Sequence, residues 1–270
     1  MVKYYVIGDI HASFKPIRDF HLRHNTNKEY NEAEKIMICL GDFCVNYFLD
    51  DEAEGQHRDR QTKEKLGRYP FTYFVLRGNH EERPSKLQEK HPDKWHFEQF
   101  LGGVVLVEND FPYIKYANDV PDFYQIGDYR TMVFPGAYSV DKHYRLMMGY
   151  SWFKDELPTE AEMQVGREMV GIFGGCDLVL SHTCPCAWEP TDLFLKGLDQ
   201  STVDKTMERY LGEIEFALDY KLWCFGHYHS TRIYPLQNGT SQPLMLYNDK
   251  IIDLDEWMEA ISNKSIGQFL

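Results

Sequence analysis

The feature that most restricts what this chain can become is a short apolar run, met five times, that stops at a small residue and then presents groups able to bind a ligand. The first is "YYVI", Tyr4 to Ile7, followed by Gly8, Asp9 and, two residues on, His11. "KIMICL" runs into Gly41-Asp42, "FTYFVLR" into Gly78-Asn79-His80-Glu81, "DLVL" into Ser181-His182, and "LWCF" into Gly226-His227-Tyr228-His229. Runs of this length bounded by Gly, Asp, Asn or Ser are strands rather than helices. In extended backbone, side chains at i and i+2 point the same way, so Asp9 and His11 are expected to reach one point together. Taken alone, this fragment reads first as a turn in which Asp9 caps the next helix and His11 is partly exposed on the surface.

Two further apolar runs, Val104 to Val107 and Thr131 to Phe134, bring the expected strands to seven. Helical periodicity separates several of them. From Thr202 to Leu218, apolar Val203, Met207, Tyr210, Leu211, Ile214 and Leu218 recur at three- and four-residue spacing, and a weaker repeat spans Glu160 to Phe173. Strands alternating with helices imply parallel pairing with helices on the sheet faces. The charged stretch from Asp50 to Arg68 reads as a solvated helix with its lead-in loop. The region from Thr231 to Asp253, broken by "PLQNGTSQP", reads as an antiparallel hairpin or meander. With 270 residues, 43% of them hydrophobic, and neither a linker nor a repeat, residues 1–270 are expected to form a single domain.

In an open α/β sheet the crevice at the carboxyl ends of the strands is where ligands bind, so the five endings can converge on one place. The donors that would gather there are Asp9, His11, Asp42, Asn79, His182, His227 and His229, with His80 left over. This set is too large for one ion and suits two, provided one carboxylate bridges. Oxygen plus imidazole without thiolate favours Mn²⁺, Fe or Zn²⁺ at a working site over a structural zinc. Five of the eleven histidines fall in these endings; the other six lie in polar or helical stretches with no role assigned. The six cysteines form no CxxC pair and mostly adjoin apolar runs, which makes them small reduced hydrophobes, with "CPC" at Cys184 to Cys186 near the candidate site.

A net charge of −13 without a basic stripe disfavours nucleic acid and anionic membrane surfaces as partners. No apolar run approaches the length of a membrane helix, and the N-terminus enters a strand without a signal-like segment, so a soluble, cytoplasmic protein is expected.

In order along the chain, "GDIH", "GD", "GNHE", "SH" and "GHYH" resemble the five sequence blocks of the calcineurin-like metallophosphoesterases, from Gly8 to His229. The resemblance implies an α/β fold, a four-layered sandwich of two central mixed β-sheets flanked by helices. It implies that Asp9, His11 and His229 hold one divalent transition-metal ion, best Mn²⁺, that Asn79, His182 and His227 hold a second, and that Asp42 bridges them. It implies hydrolysis of phosphomonoesters or phosphodiesters by a bridging hydroxide, with His80 beside the leaving group as general acid. The second block departs from the protein serine/threonine phosphatases of the superfamily: "GDFCVNYF" stands where they carry Asp-Arg-Gly, and Ala12 where they have glycine, although Glu81 agrees. A small phosphate ester is therefore the expected substrate; a phosphatase of the protein-directed kind and a non-catalytic metal-binding scaffold are the alternatives. Arg77 is a candidate phosphate contact or a structural residue. "FPGAYSVDKHYR" to "GYSWF" resembles small bacterial and phage-type members, placing Tyr138, Asp141, Lys142 and Arg145 at the site opening, with Tyr138, Tyr144 and Trp152 expected to pack on the core.

Overall fold

The computed structural model describes residues 2–24, 34–48, 53–194, 196–197, 200–237 and 239–269. Residues 50–52 of the charged stretch and residue 238 of "PLQNGTSQP" lie outside them. The strands are β1 (Val2–Ile7), β2 (Glu34–Cys39), β3 (Thr72–Val75), β4 (Trp95–Phe100), β5 (Gly103–Glu108), β6 (Ile114–Ala117), β7 (Asp122–Ile126), β8 (Tyr129–Phe134), β9 (Leu178–Ser181), β10 (Leu222–Phe225), β11 (Arg232–Ile233), β12 (Gln242–Met245) and β13 (Ile252–Asp253). The helices are α1 (Lys15–His24), α2 (Ala53–Leu66), α3 (Pro84–Lys90), α4 (Lys142–Met148), α5 (Glu160–Phe173), α6 (Thr206–Ala217) and α7 (Leu254–Ser262).

The strands form two mixed sheets, one in the order β13-β1-β2-β3-β6-β5-β4 and one in the order β11-β12-β10-β9-β8-β7. In the first, β1, β2, β3 and β6 run parallel, with β13, β5 and β4 antiparallel at its edges. In the second, β8, β9, β10 and β12 run parallel between antiparallel β7 and β11. Continuous apolar runs follow from this stacking, because each central strand is covered on both faces. Tyr4 and Val6 of β1, Leu178 and Leu180 of β9, and Leu222 and Cys224 of β10 meet between the sheets. Their neighbours Tyr5 and Ile7 face α1, α2 and α3 through Ile17, Phe20, Leu66 and Leu87. Val179, Trp223 and Phe225 face α5 and α6 through Met163, Val170, Met207 and Leu211. The expected four-layered α/β sandwich of two mixed sheets is the fold found.

Local expectations hold unevenly. The helix expected over Glu160 to Phe173 is α5, opened by a capping box in which Thr159 and Glu162 satisfy one another's backbone donors. The helix expected from Thr202 begins only at Thr206, because Asp204 Oδ1 accepts from Thr206 N at 2.9 Å after a short 3₁₀ turn at Gln200–Thr202. The charged stretch yields α2, yet that helix is more than a solvated face. Its buried Asp59 accepts from Tyr47 N and Phe48 N at 2.9 and 3.0 Å, and its buried Lys63 donates to Asn46 Oδ1 at 2.6 Å, clamping the loop that follows Asp42. The C-terminal meander is corrected: β11 and β12 do pair antiparallel, but β12 also lies parallel to β10 and β13 crosses to the edge of the other sheet. β4, β6 and β7 escaped the pattern. Among the described residues no helix is long and apolar enough to cross a membrane.

The parallel strands β1, β2, β3, β9 and β10 all end toward the same seam, which a bridge between Asp9 and Tyr247 closes from one sheet to the other. Close approach there explains the glycines. A Cβ on Gly78 would stand 2.2 Å from Asp42 Oδ1, and one on Gly41, whose φ is +91°, would stand 2.3 Å from His182 Nδ1. Replacing Gly78 with Ala is expected to destabilise the protein by about 1–3 kcal/mol through this overlap. Gly171 in α5 has nothing within 4 Å of a built Cβ, so Gly171→Ala is expected to stabilise by about 0.5–1 kcal/mol. Thermal unfolding of both variants checks the pair; equal behaviour contradicts the packing account.

Candidate metal centre

The seam is built in left-handed backbone. His11, Asp42, His227 and His229 have φ of 45°, 46°, 72° and 50°, a cluster of unfavourable conformations in non-glycine residues. The expectation of an extended backbone from Asp9 to His11 is corrected here. The strand ends before Asp9, and a turn, tied by His11 N to Asp42 O and Ala12 N to Phe43 O at 2.9 and 3.0 Å, sends His11 toward the Asp42 loop. No direct contact joins the Asp9 and His11 side chains among those recorded; they face different parts of one cluster.

Both carboxylates are buried and aimed by backbone donors. Asp42 Oδ1 accepts from the N–H groups of Asn79 and His80 at 3.0 and 2.9 Å, leaving Oδ2 toward His80 Nε2 (3.5 Å) and His11 Nε2 (3.9 Å). Asp9 accepts from His227 N at 2.8 Å through Oδ2 and lies 3.4 Å from His182 Nδ1 through Oδ1. Two groups of donor atoms result, His11, Asp42 and His80 in one and Asp9, Asp42 and His182 in the other, each within 4.8 Å, and Asp42 belongs to both.

A relay fixes the amide and ring orientations. His182 Nδ1 donates to Leu40 O at 2.7 Å, which turns Nε2 inward, 3.0 Å from Asn79 Oδ1 and 3.4 Å from Asp42 Oδ1. Asn79 Nδ2 donates outward to Ser139 Oγ at 3.0 Å, and Ser139 in turn donates to both oxygens of buried Glu156, from N at 3.0 Å and from Oγ at 2.5 Å. Orientation from outside is how metal sites hold their inner donors. Across the cluster His11 Nε2 and His229 Nε2 converge to 2.8 Å, and the His227 ring stands edge-on to His182 with centroids 5.0 Å apart. Tyr247 stacks on His229 at 5.3 Å.

His80 differs from the rest. Its Nε2 receives Arg145 Nη2 at 3.1 Å and Asn79 Nδ2 at 3.2 Å, so in this arrangement it is an acceptor. Arg145 reaches it from α4, its Nε bonded to both oxygens of Asp141 at 2.9 Å and its Nη1 to Tyr47 Oη and Ser151 O at 3.0 and 3.1 Å. Arg77 is structural: buried, with Nε on Asp119 Oδ1 at 3.1 Å and Nη1 on Glu156 O at 2.7 Å. Glu81 joins two loops, accepting from Gly78 N and Cys44 N at 2.9 and 2.8 Å. Cys184 is buried beside Tyr228 and Cys186 is exposed, and neither belongs to the donor groups. Among the aromatics of the "AYSVDKHYR" segment, Tyr144 is 51% exposed rather than packed on the core, Trp152 lies under the Lys142 ammonium at 4.1 Å, and Tyr138 lines the cavity over the cluster. Ser139, Tyr247 and the Arg145–His80 contact carried no local signal in the sequence.

The electrostatics match the donor chemistry. Burial, with Asp42 nearby, pushes the Asp9 carboxyl up to about 7, while burial takes the His11 imidazole down to about 4 and the His227 imidazole well below its ordinary range. Burial also opposes charge on His182, but the adjacent Asp42 carboxylate outweighs it and raises that imidazole to about 9. Two buried carboxylates among neutral imidazoles need countercharge, and His182 supplies it only by a proton on a ring whose Nε2 faces acceptors. Neutral imidazoles, carboxylates and an amide oxygen turned inward are a donor set that fits divalent cations.

Residues 2–231 match the calcineurin-like phosphoesterase family. None of the curated proteins matches the chain. Among solved structures, the phosphopantetheinyl hydrolase of Mycobacterium tuberculosis is 12% identical, with 92% of this chain and 90% of that one covered and a TM-score of 0.43. A novel archaeal phosphodiesterase is 12% identical over 94% of each chain, with a TM-score of 0.38. A hypothetical protein of Pyrococcus horikoshii OT3 is 13% identical over 98% and 94%, with a TM-score of 0.35. With its family profile spanning most of the chain and its strand-end blocks gathered at one seam between two mixed sheets, the protein belongs to the calcineurin-like phosphoesterases.

Proposed function

We propose that this protein hydrolyses phosphate esters with two divalent transition-metal ions, Mn²⁺ foremost. Asp9, His11 and His229 would hold one ion and Asn79, His182 and His227 the other, with Asp42 shared between the two sets. The observation that carries this reading is the position of Asp42, whose carboxylate belongs to both donor groups, His11–Asp42–His80 and Asp9–Asp42–His182, while backbone N–H groups fix one of its oxygens. The division of the remaining ligands between the two ions, and the removal of His80 from them, follow the family resemblance rather than these groups. When bound, the ions supply a water of lowered pKa and countercharge for the phosphoryl oxygens. The residues of the chain do the rest. Asn79 and His182 are held by Ser139 and Leu40 so that their donor atoms stay turned inward.

His80 serves the leaving group rather than an ion, because its Nε2 lone pair already faces two N–H donors. An incoming phosphoryl group draws the Arg145 Nη2 hydrogen bond onto its own oxygen. His80 Nε2, released by Arg145 and with the Asn79 amide left to Ser139 Oγ, takes a proton from solvent water at the open cavity and delivers it to the departing oxygen. Arg145 thus passes one donor between base and substrate while Asp141, Tyr47 and Ser151 keep its other nitrogens fixed.

Mn²⁺-loaded protein is expected to hold about two ions and to cleave aryl phosphate mono- and diesters, losing both properties on chelation. His80→Asn keeps its ions and loses about 10² to 10⁴ in turnover. Asp42→Asn loses ions from both positions. A protein inert after Mn²⁺ loading, or a His80→Asn protein emptied of metal, contradicts the assignment. Within the same assay, small esters are expected to exceed a phosphopeptide and single-stranded DNA in kcat/KM.

Replacing Arg145 with Gln is expected to leave metal content unchanged and to lower kcat by about 10²–10³, the effect of losing one charged donor to the transition state. Lys at this position restores part of it. Gln and wild type turning over alike would remove Arg145 from the mechanism.

A further inference from the structure

The cavity over the cluster, of about 730 Å³, extends well past the donors on its floor, Asp42, Asn79, His80, His227 and His229. Its far wall comes from two separate segments. Tyr138, Val140 and Tyr144 rise from the stretch leading into α4, and Leu193, Phe194 and Val203 from the stretch before α6. These are not core residues caught at an edge. Val140, Tyr144 and Leu193 are 65%, 51% and 44% exposed, apolar surface left open to water at the mouth of a site. Phe194 stacks on Tyr228 at 6.2 Å and 23°, and Tyr228 lies between His227 and His229, so the apolar wall is continuous with the metal-binding loop.

Most charged groups of the cavity already have partners. Glu189 pairs with Lys205, whose ammonium also lies 5.5 Å over the Phe194 ring; Asp204 Oδ1 accepts from Thr206 N at 2.9 Å; Glu208 Oε1 accepts from Thr183 Oγ1 at 2.9 Å; and Asp141 holds Arg145. Among the described residues Lys205 is the one cation in the lining apart from Arg145, which reaches the floor beside His80 and is held by Asp141, against carboxylates at Asp141, Glu189, Asp204 and Glu208. A second phosphate or a carboxylate on the substrate would meet this acidic rim unpaired.

We propose that this chamber binds the organic half of the ester, and that the substrate class is a phosphate ester of an apolar or aromatic alcohol with no further negative charge. The inference rests on the phosphoesterase reading for the identity of the reacting group. The apolar lining, which includes Phe194, Val140, Leu193 and Val203, accommodates an uncharged apolar group of ring size. A volume in the range of ordinary small-molecule pockets accommodates such a group together with the phosphoryl end.

Binding and turnover separate the two claims. With Mn²⁺-loaded protein, calorimetry compares ethylphosphonate with phenethylphosphonate, which share a head group and differ in apolar surface. Burying one ring is expected to tighten binding by roughly 10- to 100-fold. The same preference is expected in kcat/KM for phenethyl over ethyl phosphate, whose leaving groups are both primary alkoxides. Phe194→Ala and Val203→Ser should each shrink the ratio, and a carboxylate at the far end of the phenethyl group should weaken binding below that of ethylphosphonate. Equal affinities for the two phosphonates, or a ratio unmoved in both variants, overturn the inference. Preferential binding of phenethylphosphonate without turnover of either ester supports the chamber and removes the phosphoesterase reading instead.

Discussion

The structure depends on keeping two carboxylates, Asp9 and Asp42, out of water at the line where two β-sheets meet. A buried carboxylate is costly without donors and countercharge. Here each receives backbone N–H groups from a loop after a different strand, Asp9 from the loop after β10 and Asp42 from the loop after β3. The carboxylates therefore pin the five strand ends to one another, and the strained left-handed residues around them are held by those hydrogen bonds. The same arrangement leaves the outward oxygens and the neutral imidazoles facing a common space. Fold and site share one constraint: the negative charge that the seam buries is what draws cations into it.

Much of this was legible from residues close together in sequence. Central strands buried on both faces write themselves as unbroken apolar runs, and a glycine before Asp9, Asp42, Asn79 and His227 reports how near the next chain passes, as Gly41 against His182 and Gly78 against Asp42 make plain. The edges were harder to see. β4 alternates Trp95, Phe97 and Gln99 with His96, Glu98 and Phe100 in a half-exposed hairpin, without the continuous run that marks β1 or β10. Val203 fits a helical repeat in sequence but lies before the helix, where a turn closed by Thr206 N on Asp204 Oδ1 outweighs apolar spacing. Contacts across the fold carried no local mark: Arg145 is 65 residues from His80, and Tyr247, 18 residues from His229, lies past the end of β12 in an isolated bridge with Asp9.

The periphery of the site explains how an acidic protein handles a phosphate ester. Cations at the cluster would supply the attraction that the chain's net charge of −13 opposes, so under the proposed function a phosphoryl group would be recruited locally and long polyanions would not. Within "GDFCVNYF", which stands in place of the Asp-Arg-Gly pattern, Cys44 lies 3.6 Å from His11 Nδ1, and the guanidinium beside His80 comes from α4. Because α4 buries none of its own side chains, its Arg145 is fixed by polar contacts rather than by packing.

The most direct test of this account is anomalous diffraction from Mn²⁺-soaked crystals at the manganese edge. The account predicts two peaks flanking the Asp42 carboxylate, one against Asp9, His11 and His229 and the other against Asn79, His182 and His227, with His80 outside both coordination shells. A single peak, a peak coordinated by His80, or no peak at the seam would contradict it.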